Sequence, residues 1–241
     1  MERPLLIGIT TDYAPSETNR EARFFLKESY VTYFSSPVSR VLLLPFSGVS
    51  NPDELSFLDG LVLSGSGPDI PPSYYGEDQT FFPGLWMDPR RVDLELSLLS
   101  HAEEAEIPLF GICGGFQTMN IHRGGTLVQD IPTERPGPVI HQESSHQAFF
   151  SGYLQDLAKT EEALVNSFHH QGIKQVGKGL EVIGTSPDDG LVEAFRDGAY
   201  PFFLGVQWHP ERMPPNDGVS RILREEFFDA CRRYRDKKMS R

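Results

Sequence analysis

Leu5-Leu6-Ile7-Gly8-Ile9 is the first of several short, unbroken apolar runs. Val41-Leu42-Leu43-Leu44 follows, then Leu61-Val62-Leu63, then Leu109-Phe110-Gly111-Ile112. A strand with one wet face alternates apolar and polar residues. A run without alternation suits a strand covered on both faces of a parallel sheet. The stretches between these runs read as helix. Residues 21–36 carry Phe24, Phe25, Tyr30, Val31 and Phe34, and residues 90–106, opened by Asp88-Pro89, place Val92, Leu96 and Leu99 on one stripe. Alternating strands and helices predict an α/β fold, an open and mostly parallel sheet flanked by helices.

The second half changes character. Short β-rich runs at 146–150, 164–168, 181–185, 191–196 and 202–208 are separated by Gly, Pro and Asp turns. They read as a β-rich, mostly antiparallel extension plus strands returning to the sheet. A last helix is expected over 217–236, with Cys231 on its apolar stripe as a core thiol and the tail RDKKMSR frayed. The loop over 67–89 is long for a compact domain, and its Pro, Tyr, Phe and Trp content suggests a packed rim. No repeat or linker divides the chain, so residues 1–241 are expected to form a single domain.

The formal net charge of −12 would repel a nucleic-acid backbone, so no nucleic-acid partner is expected. No run approaches the roughly 20 apolar residues of a membrane helix. The N-terminus lacks the h-region of a signal peptide, and two distant cysteines do not suggest a disulfide framework. The expectation is a cytoplasmic protein without a membrane partner. The sequence leaves a homo-oligomer open.

One cysteine calls for an explanation. Gly111-Ile112-Cys113-Gly114-Gly115 follows a buried strand and opens a helix. That is G-x-C-x-G, the thiol counterpart of a nucleophile elbow. Glycines on both sides remove Cβ clashes from a tight turn. The helix offers free N–H groups and a positive dipole end, which favour a thiolate at its start. The Gly114 N–H points where an oxyanion would sit. The alternative is a buried structural cysteine beside a turn.

A nucleophilic thiol needs a base. Of seven histidines, His101 reads as surface, His122 as structural, and His141 and His146 as residues of a polar loop. His169 and His170 are adjacent and would face opposite ways in a strand. His209 ends the apolar strand FFLGVQWHPE, with Pro210 where a ladder stops. In extended geometry His209 and Glu211 point to the same side, so Glu211 can hold one imidazole nitrogen while the other serves Cys113. A second oxyanion donor is expected from LVLSGSGPD, where small residues follow a strand. The alternative there is an ordinary glycine-rich turn; no phosphate-loop pattern fits it.

LSGSG (63–67), GICGGFQ (111–117) and QWHPE (207–211), in that order, resemble the class I glutamine amidotransferase superfamily. GICGGFQTMNIHRGGTLVQDI, VNSFHHQGIKQVGKGLEVIGTSPDDGLVEAF and DIPPSYYGE resemble its γ-glutamyl-γ-aminobutyrate hydrolase branch, peptidase family C26. The resemblance implies a flavodoxin-like sheet and a cysteine hydrolase that cleaves a small γ-glutamyl amide through a thioester. It implies Cys113 as nucleophile, His209 as general acid/base and Glu211 as its orienter. The N–H groups of Ser66 and Gly114 would form the oxyanion hole. Gln117 would touch the glutamyl head group, and Ser167, His169 and His170 would line the same pocket. No metal or organic cofactor is needed for that chemistry. Three departures stand out, one of them an extra Pro68 after Gly67. Gly114 replaces an arginine common in the branch. Arg91 is followed by Val92 where an aspartate is usual, with Glu95 in place. Two rivals remain, a glutaminase subunit feeding ammonia to a separate synthetase and a non-catalytic binding protein. With a single helix after the HPE motif, a fused synthase is not expected.

Overall fold

The computed structural model describes residues 3–16, 21–46, 55–81 and 84–240. In chain order the elements begin with β1 (Leu5–Thr10), β2 (Asp12–Ala14), β3 (Arg23–Phe25), α1 (Glu28–Phe34), β4 (Ser39–Leu44) and β5 (Gly60–Leu63). A 3-10 turn at Pro72–Tyr75 precedes α2 (Pro89–Ala105), β6 (Leu109–Ile112), α3 (Gly114–His122), β7 (Thr126–Val128) and α4 (Ile131–Glu134). Then come β8 (Ser144–Phe150), α5 (Gly152–Ala158), β9 (Glu162–Ser167), β10 (Gly172–Gln175), β11 (Glu181–Thr185) and β12 (Val192–Arg196). The chain closes with β13 (Phe203–Val206) and α6 (Gly218–Met239).

One nine-stranded sheet has the order β4-β1-β5-β6-β13-β12-β11-β8-β9. From β4 to β13 neighbouring strands run parallel; from β13 to β9 they run antiparallel. The parallel part and the β-rich extension therefore belong to one continuous sheet. The unbroken apolar runs have the expected cause, because each strand feeds two cores. Val62, Phe110, Ile112, Leu204 and Val206 face α1, α5 and α6, while Leu61, Leu63, Leu109 and Phe203 face α2 and α3. Gly60 lets α6 approach: a Cβ there would lie 2.4 Å from the Cys231 sulfur. Cys231 is fully buried in that core, as expected.

Two expectations fail. The helix read over 21–36 shrinks to α1, and Arg23–Phe25 is a strand paired with β2. Phe24 stacks instead with Tyr13 (5.4 Å) and Phe46 (4.7 Å), so tertiary packing overrides the helical spacing. The tail does not fray before Met239. Lys238 Nζ caps the Leu58 carbonyl at 3.1 Å, Arg235 reaches the Arg3 carbonyl at 3.1 Å, and Lys237 pairs with Glu106. The 67–89 segment is packed where described, with residues 82 and 83 outside the described residues. Met87 N–H donates to Asp69 O at 2.7 Å, and Ile70 and Met87 are buried. Among the described residues no helix is long and apolar enough to cross a membrane.

Candidate active site

Cys113 stands between the last residue of β6 and the first of α3, with φ 52° and ψ −108°. A non-glycine residue held there stores about 1–3 kcal/mol of backbone strain. The neighbouring glycines make the turn possible. A Cβ on Gly111 would lie 2.3 Å from Met119 Sδ, and one on Gly115 would lie 2.1 Å from the Leu63 carbonyl oxygen. The local pattern thus lifts a buried thiol to the C-terminal end of the sheet, at the start of a helix whose first N–H groups have no intrahelical partner.

β13 lies beside β6 in parallel register, Gly111 against Gly205 and Ile112 against Val206. The chain leaving β13 therefore arrives next to Cys113. His209 Nδ1 donates to Glu211 Oε1 at 2.7 Å, and the imidazole lies close enough to Cys113 for the two to interact electrostatically. The contact forms by a different route from the one expected. The strand ends at Val206 and residues 210–212 make a 3-10 turn, not an extended run. Burial works against a charged imidazole, but Cys113 and Glu211 outweigh it and push the His209 pKa up to about 9. Asn166 fixes the backbone of His209 from both sides. Its Nδ2 donates to His209 O at 2.8 Å, and its Oδ1 accepts from His209 N at 2.9 Å. No motif marked Asn166; it reaches the site because β9 ends there.

The loop after β5 closes over the thiol. A Cβ on Gly65 would lie 2.9 Å from His209 Cε1 and 3.4 Å from Cys113 Cβ, so only glycine fits between them. A Cβ on Gly114 would lie 2.9 Å from the Ser66 nitrogen. Ser66 N–H and the start of α3 thus converge on one small space. Gly65 N–H donates to the buried Tyr30 hydroxyl at 2.7 Å. Burial, with Glu211 adding to it, pushes the Tyr30 pKa well above its ordinary value, so the phenol stays neutral.

A polar network lies beneath this loop. Arg91, fully buried, donates to the carbonyls of Ser64 (2.8 Å) and Gly65 (3.2 Å) and to Glu95 (3.0 Å). Glu95 accepts from Thr10 at 2.8 Å and from Thr118 on α3 at 2.9 Å. Asp12 of β2 supplies a second carboxylate, 3.1 Å from Arg91. Burial disfavours the guanidinium charge, but Glu95 and Asp12 outweigh it. The position after Arg91, Val92, is committed to the core. Of this network only Arg91, Glu95 and their spacing were visible in the sequence.

Two connected cavities lie beside Cys113. The smaller, ≈ 30 Å³, is bounded by Ser66, Cys113, Gly114, Gln117 and the stretch Phe168 to Gln171. The wider, ≈ 440 Å³, opens toward Lys27, Glu143, His209 and Arg212. Gln117 is buried, its amide donating to the Gln171 carbonyl and to Gln207 Oε1. His169 and His170 line both cavities. His170 bridges Asp69 (2.8 Å) and Asp130 (3.1 Å); the hydrogen bond to Asp69 raises its pKa against the effect of burial. Ser167 departs from expectation. It is fully buried, its hydroxyl on the His141 carbonyl at 2.9 Å, and it bounds neither cavity. His141 lies in a loop as expected, whereas His146 does not. Both are buried, and His146 lies within β8.

A strand–cysteine–helix elbow facing a histidine–carboxylate pair on this sheet is the arrangement of a class I glutamine amidotransferase fold. The glutaminase domain of Trypanosoma brucei CTPS superposes with a TM-score of 0.66 over 95% of this chain and 94% of that one, at 16% identity. A glutamine amidotransferase from Methylobacillus flagellatus superposes with a TM-score of 0.58 over 92% of this chain and 74% of that one, at 20% identity. The chain belongs to the Peptidase C26 family, whose model matches residues 5–211. The γ-glutamyl-γ-aminobutyrate hydrolase of Escherichia coli O157:H7 is 39% identical over 191 residues, 73% of each chain. The protein is accordingly an enzyme that hydrolyses an amide C–N bond.

Proposed function

We propose that the protein cleaves the γ-glutamyl amide bond of a small γ-glutamyl compound through a γ-glutamyl thioester on Cys113. The observation that carries this reading is the strained Cys113 elbow beside a His209 that is bound by Glu211 and holds its proton to about pH 9. Cys113 attacks the γ-carbonyl carbon. The oxyanion forms between the N–H groups of Ser66 and Gly114; one such donor is worth roughly 2.7–4 kcal/mol in the transition state. The Arg91 contacts to the Ser64 and Gly65 carbonyls support this reading, because they fix the peptide planes that aim the Ser66 N–H.

His209 then gives its proton to the leaving amine, and the C–N bond breaks. Water loses a proton to the same imidazole and attacks the thioester. The thiolate leaves as glutamate is released, and the resting pair of Cys113 thiolate and protonated His209 is restored. Gln117, His169 and His170 offer polar contacts to the glutamyl head group, which needs more room than the ≈ 30 Å³ beside Cys113 and would extend into the wide cavity. The wide cavity takes the amine, and Lys27 and Arg212 at its wall suit an amine that bears a carboxylate. γ-Glutamyl-γ-aminobutyrate, the compound for which the E. coli relative is named, is the first substrate to try.

The test is glutamate release by the purified protein from γ-glutamyl-γ-aminobutyrate, other γ-glutamyl amines and glutamine, with Cys113→Ala as the blank. The expected result is turnover of a γ-glutamyl amine well above glutamine, lost in a folded Cys113→Ala variant. Retained activity in that variant overturns the mechanism. Turnover of glutamine alone, or only with an added synthetase, moves the protein to ammonia supply.

A further inference from the structure

Behind the His169 wall of the cavity lies a second cluster of buried titratable groups. One ligand atom from each of His141, His169 and Glu193 lies within 4.8 Å of the other two. All three residues are more than nine-tenths buried. They come from three elements: the loop before β8, the loop after β9, and β12.

Their hydrogen bonds settle where the protons sit. His169 Nδ1 lies 2.8 Å from the Gln171 carbonyl oxygen. A carbonyl only accepts, so Nδ1 carries the hydrogen and Nε2 presents a bare lone pair. Among the described residues that Nε2 has no partner. His141 Nε2 lies 2.7 Å from Asp189 Oδ2, so its hydrogen points there. Its Nδ1 faces Ser167 Oγ at 3.3 Å; that hydroxyl gives its hydrogen to the His141 carbonyl at 2.9 Å and can accept one from Nδ1, so His141 takes a metal through Nδ1 only by releasing a proton. Glu193 Oε1 accepts from His146 Nε2 at 3.1 Å, and Glu193 Oε2 has no partner among the described residues. His169 Nε2 and Glu193 Oε2 are thus buried acceptors without a partner among the described residues, and His141 offers a third ligand nitrogen beside them.

We propose that His141, His169 and Glu193 form a binding site for a divalent cation of the zinc class, separate from Cys113. Two imidazoles and one carboxylate are a known zinc donor set, with a fourth position for water. Each ligand already has the outer partner such sites use: Asp189 behind His141, the Gln171 carbonyl behind His169, and His146 behind Glu193. In a tetrahedral zinc site neighbouring ligand atoms sit about 3.4 Å apart, so a cluster whose ligand atoms lie within 4.8 Å of one another closes by up to about 1.4 Å on the ion. The bound cation would tie the β9–β10 loop, which walls the substrate cavity, to the sheet at β12.

The test uses the full chain without a histidine tag, carrying Cys113→Ser to remove the thiol as a competing ligand, and stripped with a chelator. Cobalt(II) alone is titrated in, followed by zinc. One equivalent of cobalt with the visible absorption of a four-coordinate site, displaced by one equivalent of zinc with a rise in Tm, is expected. Asp189→Asn removes only the partner of His141 and should weaken cobalt binding about 10–100-fold at unchanged stoichiometry. Glu193→Gln should abolish the stoichiometric site, and His122→Ala, outside the cluster, should keep it. No uptake at micromolar cobalt overturns the proposal. So does equal affinity in Asp189→Asn and Glu193→Gln, or uptake that depends on His122.

Discussion

Replacing Glu211 by glutamine isolates what its charge does. The amide keeps an oxygen for the His209 Nδ1–H, so the 2.7 Å contact can persist while the negative charge is lost. Holding the imidazolium to about pH 9 instead of the ordinary 6.5 corresponds to roughly 3 kcal/mol. Burial opposes that stabilisation, so Cys113 and Glu211 together supply more than this net figure. The wild-type pair holds its proton below pH 9 and loses it as the pH rises through 9. In Glu211→Gln the loss begins nearer neutrality. The alkaline limb of kcat/KM should therefore move down by about one pH unit or more. The rate should fall about 10²–10⁴-fold, as when the acid of a hydrolase triad is neutralised. The assay is glutamate release from a γ-glutamyl amide between pH 5 and pH 10, with the circular dichroism of the variant as a folding control. An alkaline limb that stays in place, with kcat/KM within about threefold of wild type, would refute the assignment of Glu211 as the partner that charges His209.

Arg91→Met leaves Glu95 buried without its guanidinium, which should destabilise the chain by about 3–5 kcal/mol in thermal melts. Adding Glu95→Gln should restore much of the Tm but not kcat, because the Ser64 and Gly65 carbonyls stay untethered. Full recovery of both would remove any role for the network in aiming the Ser66 N–H. Gly114→Ala puts a Cβ 2.9 Å from the Ser66 nitrogen. It should lower kcat at least about tenfold with little change in KM, and steady-state kinetics unaltered by this variant would exclude Ser66 as a donor. His170 has its pKa raised on folding, so its stabilising effect is complete below about pH 6.5 and is lost as pH rises through the higher folded value. His170→Gln should then lower Tm more at pH 6 than at pH 9. An equal loss at both pH values would show that Asp69 and Asp130 do not hold it as a cation.

Some of this protein was written in local sequence. The apolar runs without alternation suited strands covered on both faces; all four became parallel strands of the sheet, joined by β13 from the run over 202–208, although β4 is an edge strand that leaves Leu43 exposed. In the G-x-C-x-G stretch only Gly111 is required by local neighbours, Met119 and Phe116 of the following helix; the atoms that exclude a Cβ at Gly114 and Gly115 belong to Ser66 and Leu63, on β5 and the loop after it. Long-range arrangement was legible only where it was carried by a motif. His209 and Glu211 could be paired from their spacing, although the turn that joins them is not the extended geometry that spacing suggested.

Other features existed only once the sheet was assembled. Cys113 meets His209 because β6 and β13 are neighbours in register, a fact of strand order that no local signal encodes. Asn166, Tyr30 and the Thr10 and Thr118 ends of the Glu95 network are ordinary polar residues until distant strands bring them to one point. His141 and His146 read as loop residues because their flanking sequence is polar; His146 instead lies in β8 against Val165 of β9 and Glu193 of β12, and the loop residue His141 is buried beside Ser167 and Asp189. Phe24 left the helix its spacing suggested for an aromatic cluster with Tyr13 and Phe46. The sequence by itself determined the strands, the elbow and the chemical identity of the reacting groups, since these depend on backbone sterics and side-chain type. Only the tertiary structure decided which polar groups would be buried together, because desolvation and pairing act between residues whose separation along the chain carries no information about their separation in space.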